Sequence, residues 1–153
     1  MASLIDFNSG NWSYYTIPAA FFLCMIPHAY GVRLAGKNYD LANPRKTEEH
    51  CAKDTSLDKV RHQRFLRARA ATANGFETIS LYAAAVVAGN VARLPAARLN
   101  KLTLAYLVSR IVYNYVYVVL QDNARMAGLR PLVWMAGLGI IMSLFVNAGM
   151  ALN

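Results

Sequence analysis

Four stretches of this chain are apolar or amphipathic over lengths that suit a membrane-crossing helix, and hydrophilic runs separate them. The first extends from about residue 12 to 34, long enough to cross a hydrocarbon core of roughly 30 Å at 1.5 Å per residue. Pro18 and Pro27 fall inside it. A proline there frees backbone groups that neighbouring helices must satisfy, so a kinked helix packed against others is expected. Residues 36–63 form a hydrophilic connection, with Asn43-Pro44 as a turn signal. The second stretch, about 60–92, opens with Arg61, Arg64, Arg67 and Arg69 and becomes apolar at Phe76. The link from Arg93 to Arg98 contains Pro95 and is short enough to make the second and third helices antiparallel neighbours. The third stretch covers about 99–120, and Gly128 then interrupts the pattern before Pro131, which sits where a fourth helix, about 131–152, begins. Gly137, Gly139, Ala148 and Gly149 suit close helix packing. The pattern predicts an all-α membrane protein, a bundle of four transmembrane helices forming a single domain over residues 1–153.

Composition agrees with a membrane class. The 153 residues are 56% hydrophobic, with a positive mean hydropathy, above the usual share for a soluble domain. The net charge of +8 does not point to nucleic acid, because the basic residues lie between the apolar stretches and form no single arm or face. Their distribution predicts topology instead. Lys37, Arg45, Lys46, Lys53, Lys59, Arg61, Arg64, Arg125 and Arg130 fall on one side, and only Arg93, Arg98 and Lys101 on the other. Cytoplasmic loops are the basic ones, so both termini are expected on the luminal or external side. No Lys or Arg precedes the first apolar run, so that run is expected to be retained as a helix and not cleaved as a signal peptide. Cys24, Cys51, His28, His50 and His62 are scattered without ligand spacing, so two free thiols and no metal site are expected. Trp12, Tyr14, Tyr15 and Trp134 read as anchors at the headgroup level. Asn11-Trp12-Ser13 fits a glycosylation triplet but abuts the apolar run.

The polar residues inside the apolar stretches carry the candidate chemistry. Arg67, Asn74 and Glu77 fall within an arc of roughly 80° on the second helix. Arg110, Tyr113, Asn114 and Tyr117 fall within about 100° on the third, with Tyr106 on the same side. Ionisable groups at membrane depth are costly unless paired or wetted, so both stripes are expected to face the bundle interior or a cavity. Glu77 and Arg110 are the natural ion pair. Two readings follow: an interhelical pair with amide and phenol groups as bonding glue, or a site for a zwitterionic, peptide-like molecule whose carboxylates meet arginine and whose ammonium meets Glu77. A proton-coupled exporter titrating Glu77 is a third class, disfavoured if Arg110 holds that carboxylate ionised.

The run from Arg67 to Ile79, RARAATANGFETI, resembles the second-helix signature of the MAPEG family, the membrane-associated proteins in eicosanoid and glutathione metabolism. Its arginine, asparagine and glutamate fall on Arg67, Asn74 and Glu77. The third-helix pattern of an arginine followed by a tyrosine seven residues on falls on Arg110 and Tyr117, and Tyr113 also resembles a family position. The resemblance implies a homotrimer that binds glutathione between subunits near the cytoplasmic side, with Arg67, Asn74, Glu77, Arg110 and Tyr113 as ligand residues. It implies a transferase or peroxidase acting on lipophilic electrophiles or lipid hydroperoxides that arrive through the bilayer. By position Arg130 resembles the arginine that stabilises the glutathione thiolate, and Tyr117 can donate to the same sulfur. The resemblance has gaps. Ala70 stands where many members carry a basic residue, and Arg125 competes with Arg130 because the segment between Tyr117 and Arg130 is long. The family also includes a lipid-binding member that assists another enzyme, which leaves a non-catalytic lipid-binding or scaffold protein as the alternative. The implied membrane is the endoplasmic reticulum in a eukaryotic cell and the inner membrane otherwise.

Overall fold

A computed structural model describes residues 10–153. Residues 1–9, most of the segment whose lack of Lys and Arg predicts a retained first helix, lie outside the described residues. Among the described residues, four long α-helices and one short one form the fold, with single 3-10 turns between them: α1 (Thr16–Ala35), α2 (Thr47–Lys53), α3 (Lys59–Val91), α4 (Ala96–Val118) and α5 (Leu129–Leu152). The short α2 lies within the connection that reads from the sequence as hydrophilic, with Asn43-Pro44 as a turn signal. Its Cys51 is buried with Ala35 and Phe65, which ties the connection to the ends of α1 and α3.

Among the described residues three segments, Ser13–Asn38, Ala96–Asp122 and Ala124–Leu152, are long and apolar enough to cross a membrane. The helix α3 is not among them, because its 33 residues include four arginines in the first turns and Asn74, Glu77 and Asn90 further on. Its position explains the composition. α3 packs against α1, α4 and α5, so one side of it meets protein, where small and polar side chains are tolerated. Phe65, Ala68, Ala71, Gly75, Tyr82, Ala85, Val86 and Gly89 are its buried residues. At Gly75 the contact with α1 is closest: a Cβ there would lie 2.8 Å from Cys24 Sγ and 3.1 Å from Cys24 Cβ.

The two prolines of α1 have different consequences. Pro18 lies in the first turn, where backbone donors have no partner in the helix anyway. Pro27 lies inside the helix and lacks the N–H that would bond to the carbonyl of Leu23 four residues earlier. Asn114 of α4 supplies the missing donor, its Nδ2 lying 3.0 Å from Leu23 O. The carbonyl that proline frees is therefore satisfied from the neighbouring helix. Asn114→Leu is expected to lower stability by about 1–3 kcal/mol, the cost of an unpaired buried acceptor, measured as thermal unfolding in detergent. An unchanged midpoint would show that the bond contributes nothing.

At the opposite end of the bundle the chain turns tightly from α3 into α4. Arg93 adopts a positive φ of 55°, and Leu94 N donates to Gly89 O over 3.0 Å, the six-residue bond of a helix-ending motif. Asn90 and Asn100 flank this turn and hold the start of the described chain. Asn11 Nδ2 donates to Asn90 Oδ1 over 2.6 Å, and Trp12 N donates to Asn100 Oδ1 over 3.1 Å. A sugar on Asn11 would take one of the two hydrogens of its Nδ2.

Candidate functional site

The stripe on α4 is built by spacing. Residues 110, 113 and 117 are three and four apart and so share one face of the helix. Arg110 is only 4% exposed, and its guanidinium carbon lies 4.3 Å over the ring of Tyr113. Tyr113 meets Tyr117 edge-on at 5.7 Å. The next cation comes from α5: Arg130, in the first turn, lies 4.8 Å over the ring of Tyr117. Two cations and two phenol rings thus form a continuous ladder, each cation held over the negative face of a ring. Arg110 Nη2 also donates to Asn74 Oδ1 over 3.1 Å, which brings α3 to the ladder.

Beside the ladder is a pocket of about 160 Å³, lined by Asn74, Tyr113, Arg130, Pro131 and Trp134. Its wall contains no carboxylate, while an amide, a phenol, a guanidinium and an indole can all donate hydrogen bonds. The indole Nε1–H of Trp134 is shut off from solvent and meets no acceptor among the described residues. The cation Arg130 and the absence of any carboxylate match the wall to an electron-rich or anionic group. Trp134 reads from the sequence as a headgroup anchor. Nothing in the sequence marks it as part of this wall except its spacing of four from Arg130, which puts both on one face of α5.

The other sequence candidates are placed differently. Glu77 is exposed and makes no ion pair with any described residue, so the expected pairing with Arg110 is not formed. The cause is rotation: Glu77 follows Asn74 by three residues, about 60° round the helix, and Arg110 meets Asn74. Arg67 is committed to the end of α4. It forms an ion pair with Asp122 and donates to Val118 O over 3.3 Å and Gln121 O over 3.4 Å. Arg64 binds the same carboxylate, its Nε 2.8 Å from Asp122 Oδ2. Asp122 escapes a sequence reading because its partners are more than 50 residues away. Asn114 faces α1 instead of sharing the polar stripe, and Tyr106 stacks on Tyr82 at 3.8 Å in the core. Arg125 lies exposed in the turn Ala124–Met126, away from the pocket.

These features define an all-helical membrane protein with a donor-lined pocket where α3, α4 and α5 meet. The sequence profile of the MAPEG family matches residues 14–150, and the chain belongs to that family. Membership makes it an integral membrane protein of a family concerned with eicosanoid and glutathione metabolism. No curated protein and no solved structure matches the chain.

Proposed function

We propose that the protein is a glutathione-dependent transferase or peroxidase acting on lipophilic electrophiles or lipid hydroperoxides within the membrane. The observation that carries this reading is the carboxylate-free pocket at the start of α5, bordered by Arg130, in a chain of this family. A cation beside a thiol favours the thiolate, which is the nucleophile. Arg130 is the thiolate stabiliser in this reading, and Tyr117, whose ring lies under it, is the second donor to the sulfur. Asn74 and Tyr113 line the same pocket, and Arg110 is a buried cation with an amide but no carboxylate partner among the described residues. A ligand carboxylate would complete it. Arg67 would exchange Asp122 for a second ligand carboxylate, and Glu77 would take the ammonium group.

The reading includes four membrane spans, α3 being the fourth, and a homotrimer. Support for self-association comes from α3 itself. Ala70, Ala73, Glu77, Ser80, Ala84, Val87 and Val91 are all exposed in the single chain and alternate at spacings of three and four, the repeat of helices that pack side by side. Assembly along that stripe would bury Glu77, which then needs a cation or an ammonium group. The basic connections would face the cytoplasm, in the endoplasmic reticulum of a eukaryote or the inner membrane of a bacterium.

The test is an ultraviolet difference spectrum of the detergent-purified protein titrated with glutathione. A thiolate band at neutral pH is expected. Glu77→Ala and Arg110→Ala are each expected to weaken glutathione binding about tenfold or more, the value of one charged hydrogen bond, in oligomers that remain folded. Normal affinity in both would remove them from the site. A second reading, a non-catalytic lipid-binding protein, is favoured by a groove of about 320 Å³ between α1 and α4, lined by Leu23, Ile26, Pro27, Ile111 and Val118 among others. Lipid binding without any thiolate band would decide for it.

A further inference from the structure

A second polar cavity lies at the other end of the bundle, about 25 Å along α5 from Arg130, and the glutathione reading makes no use of it. This cleft of about 460 Å³ opens between the first turns of α4 and the last turns of α5, lined among others by Pro95, Arg98, Lys101 and Leu102 on one side and by Ser143 and Asn147 on the other. Two cations border it, and no carboxylate does. This end of the chain carries only three basic residues, Arg93, Arg98 and Lys101, so two of the three meet at one cleft. Arg98 is steered there by its neighbour: its Nη1 donates to Asn147 Oδ1 over 3.0 Å. Asn147 Nδ2 in turn donates to Ser143 O over 2.7 Å and to Ser143 Oγ over 3.2 Å. Only one of the five N–H donors of the guanidinium is used in that bond. Asn147 Oδ1 and Ser143 Oγ, the side-chain acceptors of the wall, are each bonded by a donor of the wall itself. The start of α4 adds the positive end of a helix dipole. The cleft therefore offers positive charge and N–H donors, and nothing in it neutralises a cation.

The neighbouring residues give its depth in the bilayer. Trp12 N donates to Asn100 Oδ1 over 3.1 Å, so the aromatic start of the described chain is level with a residue that stands between Arg98 and Lys101. Tyr14 and Tyr15 beside it are exposed, and aromatic rings at the end of a span mark the headgroup level. From Lys101 toward the middle of the helix, Ala105 and Val108 follow at spacings of four and three, share its face and are exposed. A cationic cleft at headgroup depth thus stands above an apolar face open to hydrocarbon chains. We propose that this cleft binds the phosphate of an anionic phospholipid in the leaflet opposite the basic connections. Arg98 and Lys101 donate charge-assisted bonds to the phosphate oxygens, and the acyl chains run down the face of Ala105 and Val108. The missing carboxylate sets the preference. Phosphatidylglycerol brings negative charge alone, whereas phosphatidylcholine brings a quaternary ammonium group that this wall cannot pair. The site does not depend on the chemistry at Arg130, and it is separate from the apolar groove between α1 and α4.

The test is native mass spectrometry of the full-length detergent-purified protein titrated with dioleoyl phosphatidylglycerol or dioleoyl phosphatidylcholine. Phosphatidylglycerol is expected to bind about tenfold more tightly. Arg98→Gln and Lys101→Gln, both at exposed positions, are each expected to lower its affinity about fivefold. Asn147→Asp puts a carboxylate beside Arg98 and is expected to remove the preference between the two lipids. Arg93→Gln takes the same charge from the same end of the molecule but lies outside the cleft, and it is expected to leave binding unchanged. Equal affinity of the wild-type protein for both lipids, an equal loss in Arg93→Gln, or no loss in the cleft variants would overturn the proposal. Thermal unfolding in detergent gives a second readout. Phosphatidylglycerol is expected to raise the midpoint of the wild-type protein but not that of the double variant Arg98→Gln/Lys101→Gln, and inorganic phosphate to raise neither. Stabilisation by inorganic phosphate equal to that by the lipid would make the cleft a site for a free anion and overturn the lipid assignment.

Discussion

Arg130→Ala is expected to remove most of the glutathione thiolate band at neutral pH and to lower kcat/KM about tenfold to thirtyfold, while Arg125→Ala changes neither. The geometry separates the two arginines that the sequence leaves in competition. Arg130 borders the pocket and lies over the ring of Tyr117, whereas Arg125 is exposed in a turn outside it. An adjacent cation lowers an acid's pKa by about 1–3 units, so its removal returns the thiol toward its ordinary value of about 8.5. The thiolate fraction at pH 7 then falls about eightfold to thirtyfold, because it cannot rise above one however low the bound thiol's pKa lies. The sign gives a further check: the pH profile of Arg130→Ala moves upward, and part of the lost rate returns in alkaline buffer. Arg130→Lys keeps the charge but not the flat guanidinium that lies over Tyr117, and an intermediate thiolate band is expected. A thiolate band that survives Arg130→Ala and disappears in Arg125→Ala would reverse the assignment.

Gly75→Val is expected to destabilise the packing of α3 against α1. A Cβ at Gly75 would already lie 2.8 Å from Cys24 Sγ, 3.1 Å from its Cβ and 3.5 Å from its Cα, so turning the thiol aside does not relieve the contact. Overpacking of this kind costs about 1–3 kcal/mol, more than the helix propensity gained by replacing glycine. The consequence reaches the site, because Gly75 adjoins Asn74, and pushing α3 away from α1 moves Asn74 relative to Arg110. Lower thermal stability in detergent and weaker glutathione binding are therefore expected together. Cys24→Gly in the same chain is expected to restore both, since the two residues share one space and their effects are coupled. Loss of stability that the second substitution does not recover would place the cause elsewhere.

The helical character of the chain was legible in the sequence, because helix hydrogen bonds are local and the apolar runs have the length of a bilayer core. The chemistry of the third helix was legible for the same reason. Arg110, Tyr113 and Tyr117 share a face whatever lies opposite them, and they form the ladder observed. Pro27 announced a freed carbonyl, although not that Asn114 would satisfy it.

Which polar groups meet across helices was decided only in three dimensions. Glu77 and Arg110 read as partners, yet the rotation of α3 turns Asn74 to Arg110 and leaves Glu77 outside. Arg67 meets Asp122, and Trp134 joins a pocket instead of standing at the surface. A periodic pattern sets the angle of each residue about its own helix axis, but the rotation and offset between axes come from how closely the helices approach. That approach depends on small residues such as Gly75, where one absent carbon lets α1 and α3 close. The sequence by itself determined the helices and the candidate polar faces; the packing between helices decided which of those faces became a site.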